Sequence, residues 1–495
     1  MKVATAAEMR LIDRLAQEDF SIPGVILMER AALALRQAIE GRFNLTGQKI
    51  YIFCGKGNNG GDGLALARLL TETSAEVTVV LAYGQSQYSG LALQNLSSAA
   101  KFGLRIIDWQ DLSASQLQAA DLIVDAMLGT GATGAPRGSI ASIITLINES
   151  KKPVIAVDIP SGVDADTGHI SDLVIKANVT VTFGIPKPGL LVYPGAEACG
   201  ELLIDSIGFP PALLESNTLK INWLTAKTVR DLMPQRSPTA HKGSCGHVLV
   251  IGGAVGMTGA IALSSLGALR AGAGLVTAGI QAENFFTEKP AEVMALSWDR
   301  IIDQLDKAAA VVFGPGASTG GSSRDLLKEL LAKSKSPMVI DADGLNLLVT
   351  ESIDLRKLEL PIILTPHPGE MSRLSGLPIA KIQKNRIEVA RRFAKELGVT
   401  LLLKGARSII ADKDGNIFIN PTGNAGMATA GMGDALAGII GGLLAQGMAS
   451  TEAAACGAYL HGLAGDLAVQ RHGPTGIITT DLLRKYPVAV KKVLR

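Results

Sequence analysis

The sequence has few cysteines and few aromatic residues. Four cysteines occur in 495 residues, at positions 54, 199, 245 and 456, and aromatic side chains make up 4% of the chain. The cysteines lie far apart and form no CxxC pair, so the sequence suggests neither a zinc site nor a disulfide framework. We therefore expect a reducing compartment, most simply the cytoplasm.

Long apolar runs and an excess of one charge are also missing. No apolar run reaches the ~18 residues of a membrane-spanning helix, and the first ten residues have no signal-peptide core before their charges. The 47 basic and 45 acidic residues give a net charge of +2 without a basic tract. We therefore expect no nucleic-acid or membrane partner. We expect small-molecule ligands and, from the many apolar helical segments, a homo-oligomer.

Glycine, by contrast, is abundant. The chain contains 55 glycines and is 47% hydrophobic, a composition typical of tightly packed α/β units. A length of 495 residues is too great for one ordinary core and predicts two or three domains. The periodic pattern breaks in a polar run over residues 211–224, which follows Pro210. We predict an α/β protein with one domain at 1–215 and another at 225–495.

Three buried strands of the first half are each followed by polar residues. The segments 49–54, 121–125 and 153–157 are predicted strands that end at these loops. In an open parallel sheet, the carboxyl ends of the strands form the binding crevice. The oxygen ligands expected there belong to Asn58, Asn59, Asp62, Asp125, Asp158 and Ser161. Such a cluster suits a hard cation or acid–base chemistry on a polar ligand, although turn capping explains any single aspartate equally well.

The first of these loops is predicted at residues 55–63, before a helix at 64–70, and it contains a GxGxxG spacing formed by Gly55, Gly57 and Gly60. Between a strand and a helix this spacing is typical of dinucleotide binding. The next strand should then end in an acid that holds a ribose, but it ends in the residues Ala-Tyr-Gly-Gln at 82–85. An ordinary NAD dehydrogenase is therefore disfavoured.

The first half contains four motifs: LMERA at 27–31, GNNGGDG at 57–63, VDA with GTG at 124–131, and DIPSG at 158–162. These motifs resemble those of the NAD(P)H-hydrate epimerases. Their order and spacing match over nearly all of residues 1–210. The resemblance implies a Rossmann-like three-layer domain with potassium held by Asn59, Asp125 and Ser161. It also implies that Asp158 contacts the substrate and is a candidate for moving the proton. The other implied substrate contacts are Asn58, Asn59, Gly60, Gly61, Asp62, Gly129, Thr130, Gly131, Ala132, Thr133, Gly134 and Ala135.

In the second half, a glycine-rich loop at 424–434 runs into an apolar segment of helical length. Gly431 and Gly433 remove side chains that would keep a ligand from the backbone, and a helix N-terminus suits a phosphate in transfer. Asp434 is placed to take the proton of a substrate hydroxyl that attacks phosphorus, or else only caps the helix. The GxxxxGK[ST] motif is absent from the whole chain, so any phosphate site is of another design.

Further polar residues follow predicted strands of the second half. Asp341 and Asp343 suit either a cation or a turn. His367 lies between two prolines, where a fixed ligand contact and an ordinary loop histidine are about equally expected. Lys404 at a strand end meets a phosphate or is simply solvated.

The second half contains six motifs: HKG at 241–243, GPG at 314–316, DAD at 341–343, TPHPGE at 365–370, KG at 404–405 and the 424–434 loop. These motifs resemble those of the ADP-dependent NAD(P)H-hydrate dehydratases of the ribokinase-like superfamily. The match runs from about 225 to 490. It implies that ADP is a co-substrate used with Mg²⁺ and that Asp434 is the base. The implied hydrate contacts are Ala260, Gly316, His367 and Asp434. The implied nucleotide contacts are Lys404, Gly405, Ala406, Arg407, Ser408, Asn424 and Gly433.

Together the two resemblances imply repair of nicotinamide nucleotides. One half would interconvert the R and S hydrates of NAD(P)H, and the other would dehydrate the S form at the expense of ADP, giving AMP and phosphate. Two rival hypotheses remain: the second half as a kinase for a small hydroxylated molecule, and the first half as a binding module without catalysis. The epimerase-like first half argues against the kinase, and the four retained ligands Asn59, Asp125, Asp158 and Ser161 argue against the inert module. The preference for ADP over ATP rests on the resemblance alone.

Overall fold

The computed structural model describes residues 1–281 and 289–495. The chain forms two compact units, one from Lys2 to Ile221 and the other from Asn222 to Arg495. Each unit alternates strands with helices around its own sheet, as the predicted α/β class requires. Among the described residues, no helix is both long enough and apolar enough to cross a bilayer.

The first unit is built on a parallel sheet of seven strands in the order β4-β3-β2-β5-β6-β7-β8. Its strands, after a short β1 at Lys2–Val3, are β2 (Lys49–Cys54), β3 (Glu76–Leu81), β4 (Arg105–Asp108), β5 (Leu122–Ala126), β6 (Val154–Val157), β7 (Val179–Phe183) and β8 (Glu201–Asp205). Its α-helices are Ala6–Glu18, Gly24–Glu40, Asn58–Leu70, Gly90–Lys101, Ala114–Gln118, Ser139–Ser150, Gly195–Ala198 and Pro211–Leu214. Its 3₁₀ turns are Gln85–Gln87, Trp109–Asp111 and Pro188–Leu190.

The central strand β2 shows why this unit has three layers. Ile50 and Ile52 belong to one apolar cluster, together with the helices Gly24–Glu40 and Asn58–Leu70. Tyr51 and Phe53, which point to the opposite face, belong to a second cluster with the helix Ser139–Ser150. Because both faces are covered, the strand is apolar along almost its whole length.

The second unit contains a mixed sheet that runs β9-β18-β17-β16-β15-β14-β13-β10-β11-β12. Its strands are β9 (Ile221–Trp223), β10 (His247–Gly252), β11 (Leu275–Ile280), β12 (Met294–Ser297), β13 (Ala310–Phe313), β14 (Met338–Ile340), β15 (Ile362–Leu364), β16 (Thr400–Leu403), β17 (Ile409–Ala411) and β18 (Ile417–Ile419). Strands β10 to β16 pair in parallel, whereas β17 pairs antiparallel with β16 and β18.

Eleven α-helices are described in the second unit: Ala226–Leu232, Thr258–Ala271, Trp298–Ile301, Gly321–Lys333, Asp343–Thr350, Pro368–Ser375, Ile379–Lys384, Arg386–Leu397, Met432–Leu444, Ser450–His472 and Thr479–Leu494. The described 3₁₀ segments are Ile302–Lys307, Leu355–Lys357 and Ala425–Met427. Val248 and Val250 of β10 share an apolar core with the helices Thr258–Ala271, Met432–Leu444 and Ser450–His472. These helices cover the face of the sheet beside the 424–434 loop.

Helix Asn58–Leu70 begins six residues earlier than predicted, since residues 58–63, which were expected to form a loop, are helical. Glycines inside the helix explain the difference. A Cβ on Gly60 would lie 1.7 Å from the Gly55 carbonyl oxygen, and one on Gly63 would lie 2.6 Å from Cβ of Ala126. The first turns therefore pack directly on the ends of β2 and β5, and they carry Asn59 and Asp62 on a rigid helix.

A second close approach joins the helices Thr258–Ala271 and Met432–Leu444, and it gives a test of the packing. A Cβ on Gly438 would lie 1.8 Å from the Ser264 carbonyl oxygen. We expect Gly438→Ala to lower stability by about 1–3 kcal/mol, because the two backbones must separate. Thermal unfolding followed by circular dichroism measures the change.

Gly259→Ala is the matched control. Gly259 lies in the first of these helices, and a Cβ there would meet no atom within 4 Å beyond its own stretch of helix. The substitution should be neutral or stabilising by up to about 1 kcal/mol. A Gly438→Ala chain that melts at or above the wild-type temperature would contradict the packing argument.

Candidate active sites

The first unit contains a cavity of about 270 Å³ at the carboxyl ends of its parallel strands. Asn58, Asp62, Thr130 and Asp158, which the sequence predicted as substrate contacts, all line it. Helix Ala6–Glu18 closes one side with Arg10 and Asp13. The last residue of β7, Phe183, and the segment after it, through Lys187, also line the cavity. The titratable side chains that line this cavity are Arg10, Asp13, Asp62, Asp158 and Lys187.

Asp158 is held by a buried ion pair. It follows β6 with a φ of +62°, and its Oδ1 accepts hydrogen bonds from Lys187 Nζ at 2.5 Å, Thr182 Oγ1 at 3.0 Å and the Phe183 amide at 3.2 Å. The Lys187 side chain is only 1% exposed, and its Nζ also donates to Thr182 Oγ1 and to the Phe183 carbonyl. A buried ammonium is stable only when it is paired in this way.

Asp158 was predicted from the sequence, but Lys187 was not. A local pattern could have pointed to Lys187 as a site residue, because it stands in a rigid loop between Pro186 and Pro188, four residues after β7 ends. Its partner Asp158 is 29 residues away, and the sequence alone does not reveal that pairing.

Asp62 is a second buried carboxyl group in the same cavity, but its surroundings differ. It is 9% exposed, and no described residue donates a hydrogen bond to its side chain. Burial raises the pKa of Asp62 well above its usual value, and the negative charges of Asp158 and Asp13 raise it further. The cavity thus holds one carboxylate paired with a lysine and one carboxyl group that favours its protonated form.

The three predicted potassium ligands lie together at the end of β5. Asp125 Oδ1 accepts from Ser161 Oγ at 2.7 Å, and Asp125 Oδ2 accepts from the Ser161 amide at 2.7 Å. Asn59 Nδ2 donates to the Leu128 carbonyl at 2.9 Å, and the Leu128 amide donates to Ser161 Oγ at 3.0 Å. Burial raises the pKa of Asp125 to about 6 despite these hydrogen bonds. No described group of three His, Cys, Asp or Glu residues forms a metal cluster.

The predicted glycine contacts of the first unit fall into two groups. Gly60 and Gly61 are buried in the helix, where a Cβ on Gly60 would clash with the Gly55 carbonyl and a Cβ on Gly61 would displace the end of the Met28 side chain. The loop 129–135 is instead mostly exposed, and Thr130 is its residue that lines the cavity. Packing therefore accounts for Gly60 and Gly61, while their contact with substrate stays a prediction.

The second unit gathers three carboxyl groups around Lys404. Its Nζ lies 2.7 Å from Asp341 Oδ1 and 3.7 Å from Glu370 Oε2, and its side chain is 17% exposed. Burial lowers the pKa of Lys404, but Asp341, Glu370 and Asp434 outweigh burial and raise it overall. Glu370 was not predicted as a site residue. It lies at the third position of helix Pro368–Ser375 and accepts from the His367 amide at 2.7 Å.

Asp434 lies in the first turn of helix Met432–Leu444. The preceding Gly431 has a φ of +87°, and a Cβ on Gly433 would lie 3.3 Å from Lys404 Nζ. Burial, followed by the charge of Asp341, raises the pKa of Asp434 to about 6. A carboxyl group with this pKa is ionised at neutral pH and loses its charge as the pH falls below about 6. The helix N-terminus, the ammonium of Lys404 and this carboxyl group are thus adjacent, an arrangement that suits phosphoryl transfer to a hydroxyl.

Two predicted hydrate contacts, Ala260 and Gly316, lie against each other, and a third, His367, also caps a helix. Gly316 follows β13 with a φ of +60°, and a Cβ there would lie 3.2 Å from the Ala260 Cβ. His367 caps helix Pro368–Ser375, because its Nδ1 accepts from the amides of Gly369 and Glu370 at 3.0 and 3.3 Å. The side chain is still 51% exposed, with Nε2 3.4 Å from Glu370 Oε1. Capping therefore fixes the ring while leaving it open to a ligand.

The predicted nucleotide loop 404–408 is organised by Arg386, which the sequence reasoning missed. Arg386 is 8% exposed and donates to the carbonyl oxygens of Leu403, Lys404 and Ala406. Burial lowers its pKa to about 10, so the guanidinium stays charged at neutral pH. Gly405 has a φ of +140°, and a Cβ there would lie 2.9 Å from Arg386 Nη2.

Three other predicted nucleotide contacts already have partners within the chain. The Arg407 guanidinium donates to the Pro421 carbonyl and lies over the Trp223 ring, 5.1 Å from its centre. Asn424 donates to Asp466 Oδ1 at 2.7 Å and accepts from the Gly426 amide at 3.0 Å. Ser408 Oγ donates to the Gly405 carbonyl at 3.0 Å. Their contact with a nucleotide stays a prediction.

Comparison with solved structures defines the class of the second unit. A ribokinase-like superfamily protein from Enterococcus faecalis aligns with a TM-score of 0.51 and 30% identity, over 55% of this chain and 96% of that one. An ADP/ATP-dependent NAD(P)H-hydrate dehydratase from Bacillus subtilis, co-crystallised with ATP and Mg²⁺, aligns with a TM-score of 0.51 and 33% identity. This alignment covers 56% of this chain and 99% of that one. The second unit is therefore a ribokinase-like α/β domain, and the predicted fold class is confirmed.

Comparison of the sequence identifies the family. Residues 248–488 match the family described as NAD(P)H-hydrate dehydratase, and residues 24–189 match the family described as YjeF-related protein N-terminus. The bifunctional NAD(P)H-hydrate repair enzyme of Moorella thermoacetica is 44% identical over 100% of this chain and 97% of that protein. The enzyme of the same name from Coxiella burnetii is 39% identical over 98% of each chain. The chain belongs to the family of bifunctional NAD(P)H-hydrate repair enzymes.

The position of Arg386 predicts that nucleotide affinity depends on it. We expect Arg386→Lys to raise the KM for the adenine nucleotide about tenfold, because an ammonium cannot hold three carbonyl oxygens in the same geometry. Steady-state kinetics with varied nucleotide measure the effect. Arg392→Lys is the control, because Arg392 lies on the same helix but contacts Glu396 in an exposed 3.6 Å pair and the ring of its neighbour Phe393, and holds no carbonyl oxygen of the loop. Equal KM values for the two variants would show that Arg386 has no part in the nucleotide site.

Proposed function

We propose that the chain repairs hydrated nicotinamide nucleotides in two steps. The first unit interconverts the R and S hydrates of NADH and NADPH. The second unit dehydrates the S hydrate at the expense of ADP and releases AMP and phosphate. The observation that carries the proposal is the presence of two strand-end carboxyl clusters, each around a lysine whose side chain is at most 17% exposed, in a chain that matches bifunctional repair enzymes over its full length.

The second site supports transfer of a phosphoryl group to the C6 hydroxyl of the hydrate. Asp434 takes the proton of that hydroxyl, and the Gly433 amide at the helix N-terminus faces the transferred group. Lys404 supplies the positive charge beside it. The phosphorylated oxygen is a much better leaving group than hydroxide, so the ring nitrogen expels phosphate and leaves a C6=N1 cation. Loss of a proton from C5 to water then restores the dihydronicotinamide.

The metal requirements of the proposal rest on the donor atoms present. Asn59, Asp125 and Ser161 would hold potassium, because Asp125 is completely buried and no described basic side chain pairs with it. A monovalent ion would supply the missing charge and order the loop at Leu128. In the second site, Asp341, Glu370 and Asp434 outnumber the single ammonium of Lys404, and this excess of negative charge fits Mg²⁺ that arrives with nucleotide phosphates.

The proposal also covers the compartment, the oligomeric state and the partners of the enzyme. We propose a cytoplasmic homo-oligomer with small-molecule ligands and without nucleic-acid or membrane partners. Four buried free thiols fit a reducing compartment. Phe20, Val25 and Ile26 are exposed apolar residues close together in the sequence, and they offer a surface for a second copy.

Recovery of NADH absorbance at 340 nm from a mixture of both hydrate epimers tests the function. With ADP, Mg²⁺ and potassium, we expect complete recovery, because the first site keeps supplying the S form. With ATP in place of ADP we expect slower recovery. With choline in place of potassium, the S fraction should still be recovered at its usual rate, while the R fraction should follow more slowly.

Each failure has a different meaning. Recovery that stops at the initial S fraction in potassium would leave the first unit as a binding module. No recovery with either nucleotide would contradict the dehydratase assignment and favour a kinase for a small hydroxylated molecule. The spontaneous rate, measured without protein, is the control for both outcomes.

A further inference from the structure

The cavity of the first unit contains two carboxyl groups in opposite situations. Asp158 Oδ1 accepts three hydrogen bonds, one of them from the buried ammonium of Lys187. Asp62 lines the same cavity from helix Asn58–Leu70, and no described residue donates a hydrogen bond to it. Packing does not explain a carboxyl group that is 9% exposed and unbonded, because burying it without a partner costs free energy.

From this asymmetry we infer that Asp62 is the general acid of the epimerase and that Asp158, held by Lys187, is its base. The inference rests on the proposed epimerase function and assigns the proton steps within that site. The family resemblance marks Asp62 only as one of several substrate contacts. Lys187 is then a positioning residue, which acts by keeping Asp158 in place as a carboxylate.

The chemistry balances without any further reagent. Asp62 gives its proton to the C6 hydroxyl, the C6–O bond breaks, and water leaves. The lone pair of the ring nitrogen forms a C6=N1 double bond and leaves a planar cation. Water then adds to the other face of C6 and gives its extra proton to Asp158. Asp158 releases that proton to bulk water, and Asp62 takes one from bulk water, so both groups return to their starting states.

The charges around the site fit these roles. Asp158 and Asp13 both disfavour a negative charge on Asp62, and Lys187 is the opposing positive charge. Lys187 Nζ lies 2.5 Å from Asp158 Oδ1, so its positive charge stabilises the carboxylate of Asp158 more than that of Asp62. Arg10 is the remaining charged side chain that lines the cavity. The arrangement favours a proton on Asp62 and pairs Asp158 with an ammonium, as a separate acid and base require.

The pH profile of the wild-type chain is the first test. Conversion of purified R hydrate to S hydrate is followed by chromatography without ADP, so that the second site is silent. Because the acid must be protonated, kcat/KM should fall about tenfold per pH unit above the pKa of Asp62. Asp13→Asn should move this fall to lower pH, because it removes one of the charges that raise the pKa of Asp62.

Asp62→Asn is the second test. It should lower kcat at least about 100-fold with little change in KM, and the remaining activity should lose the alkaline fall. Asp62→Glu should keep part of the rate together with the fall. Asp111→Asn is the matched control, because Asp111 is an exposed carboxyl group in a 3₁₀ turn of the same unit. It should behave as the wild type does.

Three results would overturn the assignment. They are a wild-type rate that does not fall on the alkaline side, an Asp62→Asn enzyme with a kcat within threefold of wild type, and an Asp62→Asn enzyme in which only KM changes. If Asp62→Asn does not fold, the pH profiles of the wild type and of Asp13→Asn still test whether Asp62 is the acid. A wild-type chain that interconverts no hydrate at any pH would instead contradict the proposed function itself.

Discussion

A buried lysine that pairs with a strand-end carboxylate is the interaction on which both sites depend. Lys187 holds Asp158 in the first unit, and Lys404 holds Asp341 in the second. Each ammonium lies among several acidic groups, and without it the burial of those groups would be unfavourable. Removing one partner of such a buried pair typically costs about 3–5 kcal/mol. The lysines therefore fix the position of the carboxyl groups as well as their charge.

Parallel strands explain why the acidic residues meet at all. Asp125 lies near the end of β5 and Asp158 follows the neighbouring β6, and parallel pairing brings both strand ends to one edge. The second unit repeats the arrangement at β14 and β15, where Asp341 and His367 follow. Close packing of glycine-containing helices then brings Asp62 and Asp434 to these edges. Function is thus a consequence of sheet topology combined with a few short helix–strand contacts.

Much of this could be predicted from the sequence. The strand ends, the oxygen ligands around Asp125 and the helix after the 424–434 loop follow from local patterns: apolar runs, turn residues and glycine spacing. The parts that were missed are Lys187, Glu370 and Arg386. Lys187 and Glu370 pair with charged residues far away in the sequence, and Arg386 binds backbone carbonyl oxygens. Contacts of these two kinds leave no local sequence pattern.

Other features had two interpretations that only tertiary contacts separate. His367 is both a helix cap and an exposed ring, so the two hypotheses for it are compatible. Gly60 and Gly61 have steric reasons that a nucleotide-binding motif does not supply. The start of helix Asn58–Leu70 was placed too late because glycines usually weaken a helix, whereas here the close contact with Gly55 requires them.

The central claim is that one chain contains two independent active sites, and separated substrates test it most directly. The measurement uses purified R and S hydrates with two variants, Asp158→Asn and Asp434→Asn. The account predicts that Asp158→Asn converts the S form to NADH with ADP but leaves the R form unchanged. It predicts that Asp434→Asn interconverts R and S without forming NADH. Loss of both activities in either well-folded variant would contradict the account, because it would mean that the two sites are one.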